Sequence, residues 1–222
     1  MKFFLDSAKY DEVAYALDMW NLSGVTTNPR HVQSTGKPFL NVIKELAGLV
    51  EGTDKTISVE INPHLTEWQK MVEEGKQYAG LSPNFVIKIP STEAGFKACQ
   101  ELTHTGIRCN VTLMFSAFQA LQAMRMGAFY ISPFIGWKES NGEEINSLIK
   151  EIAGIKNQHQ FKSEILVAAV RNGRQIVNAA LAGADIVTAG FAVFKEGFMH
   201  PYTDMGLQKF SEFWDQTERG EL

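Results

Sequence analysis

The alternation of short apolar strand patterns with longer helical patterns is the feature that most constrains the fold of this chain. Eight runs rich in Val, Ile, Phe and Thr recur at fairly even spacing, and several are apolar on both faces, as in a parallel sheet covered by helices. These runs lie at residues 3–6, 24–27, 56–61, 85–89, 109–113, 129–132, 164–169 and 185–189. Helical patterns fall between them at residues 38–50, 66–79, 92–104, 116–126, 143–156 and 173–182.

This pattern predicts an α/β protein in which residues 1–222 form a single (β/α)8 TIM barrel domain with additional C-terminal helices. Eight strand–helix units in 222 residues fit the small end of the size range of that fold, and no proline- or serine-rich linker divides them. An open doubly wound sheet is the structural alternative. However, no strand pattern is followed by the GxGxxG fingerprint that would favour such a sheet.

Residues 198–222 are predicted to form a C-terminal helical extension, after a first helical pattern that begins near residue 191. Three large aromatic residues in this extension, Phe210, Phe213 and Trp214, have few places to go inside a closed barrel. They either pack on the outer ring of helices or contact another subunit, and the sequence leaves both arrangements open.

Composition narrows the functional classes. The net charge of −4 argues against a general nucleic-acid surface but leaves room for a local pocket that binds a small anion.

Asp6 interrupts the N-terminal apolar residues, and no stretch approaches the roughly 20 apolar residues of a membrane span, so we expect a cytoplasmic protein. We expect Cys99 and Cys109 to be buried free thiols, and the five histidines lack the spacing of a zinc site.

Polar residues recur where the predicted strands end, and the carboxyl ends of barrel strands carry the chemistry of this fold. They are Asp6, Asn28, Glu60, Lys88, Asn110, Thr112, Ser132 and Arg171. Because side chains alternate along a strand, Lys88 shares one face with Val86, whereas Ile87 and Ile89 occupy the other. The alternation therefore predicts that Lys88 points into the mouth of the barrel.

A lysine in such a place has two interpretations. It is either one half of a structural ion pair, or an amine kept in its neutral form because burial disfavours the charged form. A neutral amine attacks a carbonyl carbon to form a Schiff base, and the protonated imine then permits cleavage of a C–C bond. The carboxyl, amide and hydroxyl groups on the other strands suit the proton transfers and hydrogen bonds that this reaction needs.

Motifs along the whole chain resemble those of the transaldolases, in particular the short, barrel-only transaldolases and their fructose-6-phosphate aldolase relatives. The matching stretches are LD (5–6), GVTTNP (24–29), SVEI (58–61), FVIKIP (85–90), CNVTLMFS (109–116), ISPFIG (131–136) and HPYTD (200–204). The resemblance implies small sugar substrates, no metal and no organic cofactor, no nucleic-acid or membrane partner, and a homo-oligomer, either a pentamer or a decamer.

The resemblance also implies a role for each matching residue. Lys88 corresponds to the Schiff-base lysine, Asp6 to the aspartate that handles the C4-hydroxyl proton, and Glu60 with Thr112 to the pair that holds a proton-relaying water. Glu60 and Phe134 are of the transaldolase type, because the aldolases carry Gln and Tyr at these positions. The residues that correspond to groups orienting the donor are Asn28, Asn110 and Ser132.

The sequence departs from the family at the end of the site that binds the substrate's charged group. Arg171 corresponds to one of two phosphate-binding arginines, but Trp137 stands where the other is usual, and Ala169 replaces a serine. Arg30 is additional here, and Arg174 is a weaker candidate. An indole removes a positive charge and offers one N–H donor, which suits a sulfonate with one charge better than a phosphate with about two.

The favoured prediction is therefore a Schiff-base transaldolase whose donor is 6-deoxy-6-sulfofructose, with Arg30, Trp137 and Arg171 in its anion pocket. In the alternative, Arg30 replaces the missing arginine and the donor is an ordinary sugar phosphate. An uncharged ketose is a third candidate donor. Two further readings are an aldolase that releases free dihydroxyacetone and a barrel that only binds a sugar anion.

Overall fold

Eight parallel strands form a closed barrel in the computed structural model, which describes residues 1–220. Each strand pairs with its neighbours in chain order, and the last pairs with the first, which confirms the predicted (β/α)8 fold. The strands are β1 (Lys2–Asp6), β2 (Gly24–Thr26), β3 (Thr56–Glu60), β4 (Phe85–Pro90), β5 (Cys109–Met114), β6 (Tyr130–Pro133), β7 (Glu164–Val170) and β8 (Ile186–Ala189).

Helices surround the barrel, and all six helical patterns named from the sequence are present. The helices within residues 1–220 are α1 (Tyr10–Met19), α2 (Pro29–Ser34), α3 (Phe39–Val50), α4 (Trp68–Ala79), α5 (Glu93–His104), α6 (Ala117–Arg125), α7 (Gly136–Ser140), α8 (Asn146–Gln158), α9 (Gly173–Leu181), α10 (Phe191–Gly197) and α11 (Pro201–Trp214). The sequence did not single out α1, α2 or α7. None of the helices described is long and apolar enough to cross a membrane.

Side-chain caps fix the points at which the chain leaves four of the strands and enters the next helix. The capping residues are Asn28, Thr92, Ser116 and Asn172, and each accepts a hydrogen bond from the backbone N–H three residues further on. Such a cap satisfies one of the otherwise unpaired N–H groups of the first helical turn. The turns at the mouth of the barrel are thus held by local hydrogen bonds as well as by packing.

The core has two layers that follow the alternation of side chains along the strands. Ile87, Ile89 and Val111 belong to the large layer between strands and helices. A smaller cluster fills the barrel interior, and its buried members are Phe4, Val86, Tyr130, Leu166, Ala168 and Ile186. Val86 lies in the barrel interior, whereas Ile87 and Ile89, the residues on either side of Lys88, face the helices. Lys88 shares the inward face with Val86, so its predicted direction is confirmed.

Deep in the barrel, the interior also holds a polar contact. The Tyr130 hydroxyl lies 3.1 Å from the Thr56 hydroxyl, and burial raises the pKa of Tyr130 to about 12. The phenol therefore stays protonated at neutral pH and serves as a hydrogen-bonding group of the core. Cys99 and Cys109 are buried free thiols, as predicted.

The aromatic residues of the C-terminal extension do not pack on the barrel. Phe210, Phe213 and Trp214 are 72%, 67% and 56% exposed, and α11 has no buried residue. Packing on the outer ring, one of the two arrangements that the sequence left open, is therefore wrong for this chain. The last two residues of the predicted extension, 221 and 222, lie outside the described residues.

Candidate active site

A pocket of about 540 Å³ opens at the carboxyl ends of the strands. The charged and polar residues that line it are Asp6, Thr26, Asn28, Arg30, His31, Glu60, Lys88, Ser132, Arg171 and Thr188. A larger pocket of about 760 Å³ adjoins it, shares Glu60 and Leu113, and is lined mainly by apolar side chains. Lys88 and Asp6 face only the smaller pocket, so that pocket is the candidate active site.

Lys88 lies at the base of the pocket and is 4% exposed. Its Nζ donates a hydrogen bond to the backbone carbonyl of Thr27 at 3.0 Å and lies 2.9 Å from Glu60 Oε2. The two residues are register partners on β3 and β4, so the barrel itself brings their side chains together. Lys88 therefore does form an ion pair, and that pair faces the cavity.

Asp6 occupies the opposite side of the pocket and has two neighbours that hold its carboxylate. Thr26 Oγ1 donates to Asp6 Oδ1 at 2.8 Å and also lies 2.6 Å from Thr188 Oγ1. His31 Nδ1 lies 3.5 Å from Asp6 Oδ1. The sequence places His31 directly after Arg30, near the barrel mouth, where it could contact the substrate, but His31 was not among the predicted site residues.

Asn28 borders the pocket, but part of its side chain is already used by the fold. Its Oδ1 accepts the backbone N–H of His31 at 3.0 Å to cap α2, and its Nδ2 lies 3.4 Å from His31 Nδ1. The amide nitrogen is thus the part of Asn28 that remains for a ligand. The same cap fixes the position of His31 beside Asp6.

A second carboxylate lies near His31. Burial raises the pKa of Glu12, but the hydrogen bonds from Ser7 and Lys9 and the electrostatic attraction of Lys9 and His31 together bring the pKa below its usual value. Glu12 therefore stays ionised at neutral pH. The His31 imidazole interacts electrostatically with two carboxylates, those of Asp6 and Glu12.

Strands β5 and β6 contribute a buried hydrogen-bond chain. Ser132 Oγ donates to Asn110 Oδ1 at 2.7 Å, and Asn110 Nδ2 donates to Ser58 Oγ at 3.0 Å. Ser132 lines the pocket, whereas Asn110 is fully buried beneath it. Thr112 is also fully buried, and among the side chains that the structure describes, its Oγ1 is the one buried oxygen or nitrogen that lacks a hydrogen-bond partner.

The anion-pocket candidates Arg30, Trp137 and Arg171 all line the same pocket, and Arg174 does not. Arg30 lies in the first turn of α2, and no ion pair forms between it and the described residues. The Arg171 guanidinium donates from Nη1 to Ser140 Oγ in α7. Two arginines, one in the helix after β2 and one directly after β7, thus border the same pocket.

Trp137 is 52% exposed and belongs to an aromatic group at the rim of the pocket. Its ring stacks on Phe115 with centroids 5.8 Å apart and meets the Phe134 ring edge-on at the same distance. These are the offset and edge-to-face geometries that aromatic rings prefer. The indole therefore packs against two aromatic neighbours and lines the pocket.

The described part of the chain has no group of three His, Cys, Asp or Glu residues placed to bind a metal ion. The ionisable groups of the pocket are instead Asp6, Glu60, Lys88, His31 and the two arginines.

Comparison with known proteins gives a match over nearly the whole chain. The family model for transaldolase/fructose-6-phosphate aldolase matches residues 3–221. A 6-deoxy-6-sulfo-D-fructose transaldolase of Priestia aryabhattai is 54% identical over 218 residues, which cover 98% of this chain and 96% of that protein. A probable transaldolase of Roseiflexus sp. (strain RS-1) is 44% identical over 221 residues, covering 99% of this chain and all of its own.

Solved structures of lower identity share the architecture. Thiamine phosphate pyrophosphorylase from Pyrococcus furiosus superposes with a TM-score of 0.61 at 13% identity, over 85% of this chain and 84% of the other. A putative fructose-1,6-bisphosphate aldolase from Coccidioides immitis gives the same TM-score at 10% identity, over 88% and 78%. At such identities the likeness concerns the barrel fold alone.

Proposed function

This chain belongs to the transaldolase/fructose-6-phosphate aldolase family, and we propose that it transfers a dihydroxyacetone unit from 6-deoxy-6-sulfofructose to an aldose acceptor. The observation that carries the proposal is the Lys88–Glu60 pair at the base of a pocket that two arginines also line. The name of the relative at 54% identity supports the choice of donor.

Lys88 is the proposed nucleophile, and Glu60 is the group that makes it one. Glu60 Oε2 lies 2.9 Å from Nζ, close enough to accept the ammonium proton and leave a neutral amine. The amine attacks C2 of the ketose, and one of its two N–H protons passes to the C2 oxygen. The proton held by Glu60 joins it, so that this oxygen leaves as water and a protonated imine with one N–H remains. The Thr27 carbonyl accepts the remaining N–H and keeps Nζ directed towards the substrate.

Asp6 is the proposed base for bond cleavage. It removes the proton of the C4 hydroxyl, the C3–C4 bond breaks, its electron pair passes into the iminium, and sulfolactaldehyde leaves. The bond from Thr26 fixes one carboxylate oxygen, so the carboxylate is oriented before the substrate arrives. The enamine on Lys88 then attacks the acceptor aldehyde, Asp6 returns the proton to the new hydroxyl, and water hydrolyses the Schiff base.

Glu60 and Thr112 are also the proposed holders of the water that relays protons. The Thr112 hydroxyl makes no hydrogen bond to another described group, so it is available to a water molecule beside Glu60. Ser132 and the amide nitrogen of Asn28 face the pocket and would orient the donor's hydroxyls. Asn110 acts indirectly in this proposal, because it is buried and holds Ser132.

The charged end of the donor is proposed to lie between Arg30, Arg171 and Trp137. A sulfonate carries one negative charge and three acceptor oxygens, which two separate guanidinium groups and one indole N–H can satisfy. Phe115 and Phe134 limit movement of the indole, so the pocket has a rigid wall at the position where the family usually carries an arginine. A phosphate donor such as fructose 6-phosphate is the alternative.

The C-terminal helix is proposed to contact a second copy of this chain, in a pentamer or decamer. Its exposed large hydrophobic residues are Tyr202, Met205, Leu207, Phe210, Phe213 and Trp214. So many exposed apolar side chains on one helix are uncommon on a monomer and are typical of a subunit contact.

A test of the transfer reaction supplies 6-deoxy-6-sulfofructose with and without glyceraldehyde 3-phosphate. We expect continued release of sulfolactaldehyde only with the acceptor, because the enamine otherwise stays on Lys88 after one cleavage per site. Lys88→Met, which has no amine, is the control and should release none. Sustained release without an acceptor would instead identify an aldolase, and no release from any ketose would leave only a binding function.

A second prediction concerns the donor's charged group. The unmodified protein should have a higher kcat/KM for the 6-sulfonate than for fructose 6-phosphate. Trp137→Arg should shift the ratio of these constants towards phosphate by roughly 10- to 100-fold, because a charge-assisted hydrogen bond contributes about 1.5–3 kcal/mol. Trp137→Phe keeps the aromatic contact without adding charge and should not favour phosphate. Preference of the unmodified protein for fructose 6-phosphate would refute the choice of donor.

A third prediction concerns assembly and is read by sedimentation velocity. The unmodified chain should sediment as a pentamer or decamer, and the double variant Phe210→Ser/Trp214→Ser should shift to smaller species because the apolar contact is lost. Gln208→Ser on the same helix is the matched control and should sediment like the parent. A monomeric parent at micromolar concentration would contradict the proposal.

A further inference from the structure

Strands β5 and β7 end in the same backbone irregularity. Leu113 and Ala169 have positive φ angles of 53° and 59°, a region that residues other than glycine rarely occupy. The pairing register shifts at both places, between Val111 and Met114 in one strand and within 167–170 in the other. Such bulges redirect the chain at the mouth of a barrel, and they persist only where surrounding contacts hold them.

Just after each irregularity, a glutamine side chain accepts a hydrogen bond from the backbone. Two residues after Leu113, the N–H of Phe115 donates to Gln119 Oε1 at 2.8 Å. Two residues after Ala169, the N–H of Arg171 donates to Gln175 Oε1 at 2.7 Å. In both cases the glutamine lies four residues after the N–H that it accepts, at the start of the following helix.

The other end of each glutamine reaches back to the preceding strand–helix unit. Gln119 Nε2 donates to the carbonyl of Ser91 at 3.3 Å, and Gln175 Nε2 donates to Glu139 Oε2 in α7. Gln175 is 1% exposed, so both ends of a buried side chain are satisfied. Each glutamine thus ties two consecutive loops of the barrel mouth together.

The two ties converge on Trp137 from opposite sides. Gln119 holds the backbone of Phe115, whose ring stacks on the indole. Gln175 holds the backbone of Arg171 and, through Glu139, the short helix that carries Trp137. Neither glutamine lines the pocket, so neither touches the substrate.

We propose that Gln175 and Gln119 are positioning residues that set the distance between Arg171 and Trp137 and thereby the fit of the donor's charged group. This inference rests on the proposed function, because it assigns those two residues to the anion. Gln175 is the stronger of the two positioning residues, since it connects both walls of the anion pocket directly. Gln119 acts on the indole through Phe115 alone.

The test compares kinetics on two donors, 6-deoxy-6-sulfofructose and 6-deoxyfructose, which lacks the charged group. We expect Glu139→Ala, which removes one hydrogen bond, to raise KM for the sulfonated donor about tenfold, and Gln175→Met, which removes two, to raise it by about tenfold or more, with kcat changed by less than about twofold in both variants. The kcat/KM for 6-deoxyfructose should stay within about twofold of the parent, because that donor makes no use of the anion pocket. Gln119→Met should raise the same KM by a smaller factor.

Glu139→Gln is the matched control, because its amide oxygen still accepts the bond from Gln175, and it should behave like the parent. Glu139 is exposed, so its variants keep the test valid if Gln175→Met does not fold. Equal losses on both donors, or no change in either, would overturn the positioning role. A parent that uses 6-deoxyfructose better than both the sulfonated and the phosphorylated ketose would refute the proposed function itself.

Discussion

The ion pair between Lys88 and Glu60 is the interaction on which the rest of the site depends. Removing two charges from water costs several kcal/mol for each ion, and only close geometry with further hydrogen bonds offsets that cost. The barrel supplies the geometry through the register of β3 and β4, and the Thr27 carbonyl supplies the further bond. Removing either partner would leave an unpaired charge at the base of the pocket. The pair is therefore needed for the stability of this part of the fold as well as for the proposed reaction.

The site divides into a part on the strands and a part on the turns that follow them. Asp6, Glu60 and Lys88 project from β1, β3 and β4, where ladder hydrogen bonds on both sides fix the backbone. Arg30 and Trp137 lie on short helices, and side-chain hydrogen bonds hold these helices: the Asn28 cap in α2, and the bonds of Arg171 and Gln175 to α7. In the proposed function, the reaction chemistry therefore lies on rigid strands and the choice of substrate on the turns that follow them, an arrangement that allows one barrel fold to serve different substrates.

Periodicity predicted the barrel, because apolar runs of about five residues separated by helical patterns can be read directly from the sequence. It also predicted the direction of Lys88, because successive side chains of a strand point to opposite faces. The helices α2 and α7 were not predicted, since six and five residues are too few to show a helical period. The capping role of Asn28 and the bonds of Gln175 depend on contacts with loops of the folded chain. Resemblance to the family led to the proposed catalytic positions, but it gave no account of what holds them in place.

In the proposed reaction, Lys88 forms a covalent bond with the donor. Borohydride reduction in the presence of 6-deoxy-6-sulfofructose, followed by mass spectrometry of the intact protein and its peptides, tests for this bond. We expect loss of activity and one reduced dihydroxyacetone unit per chain, located on the peptide that contains Lys88, and no adduct in Lys88→Met. An unmodified Lys88 with full activity after reduction would rule out the proposed Schiff base.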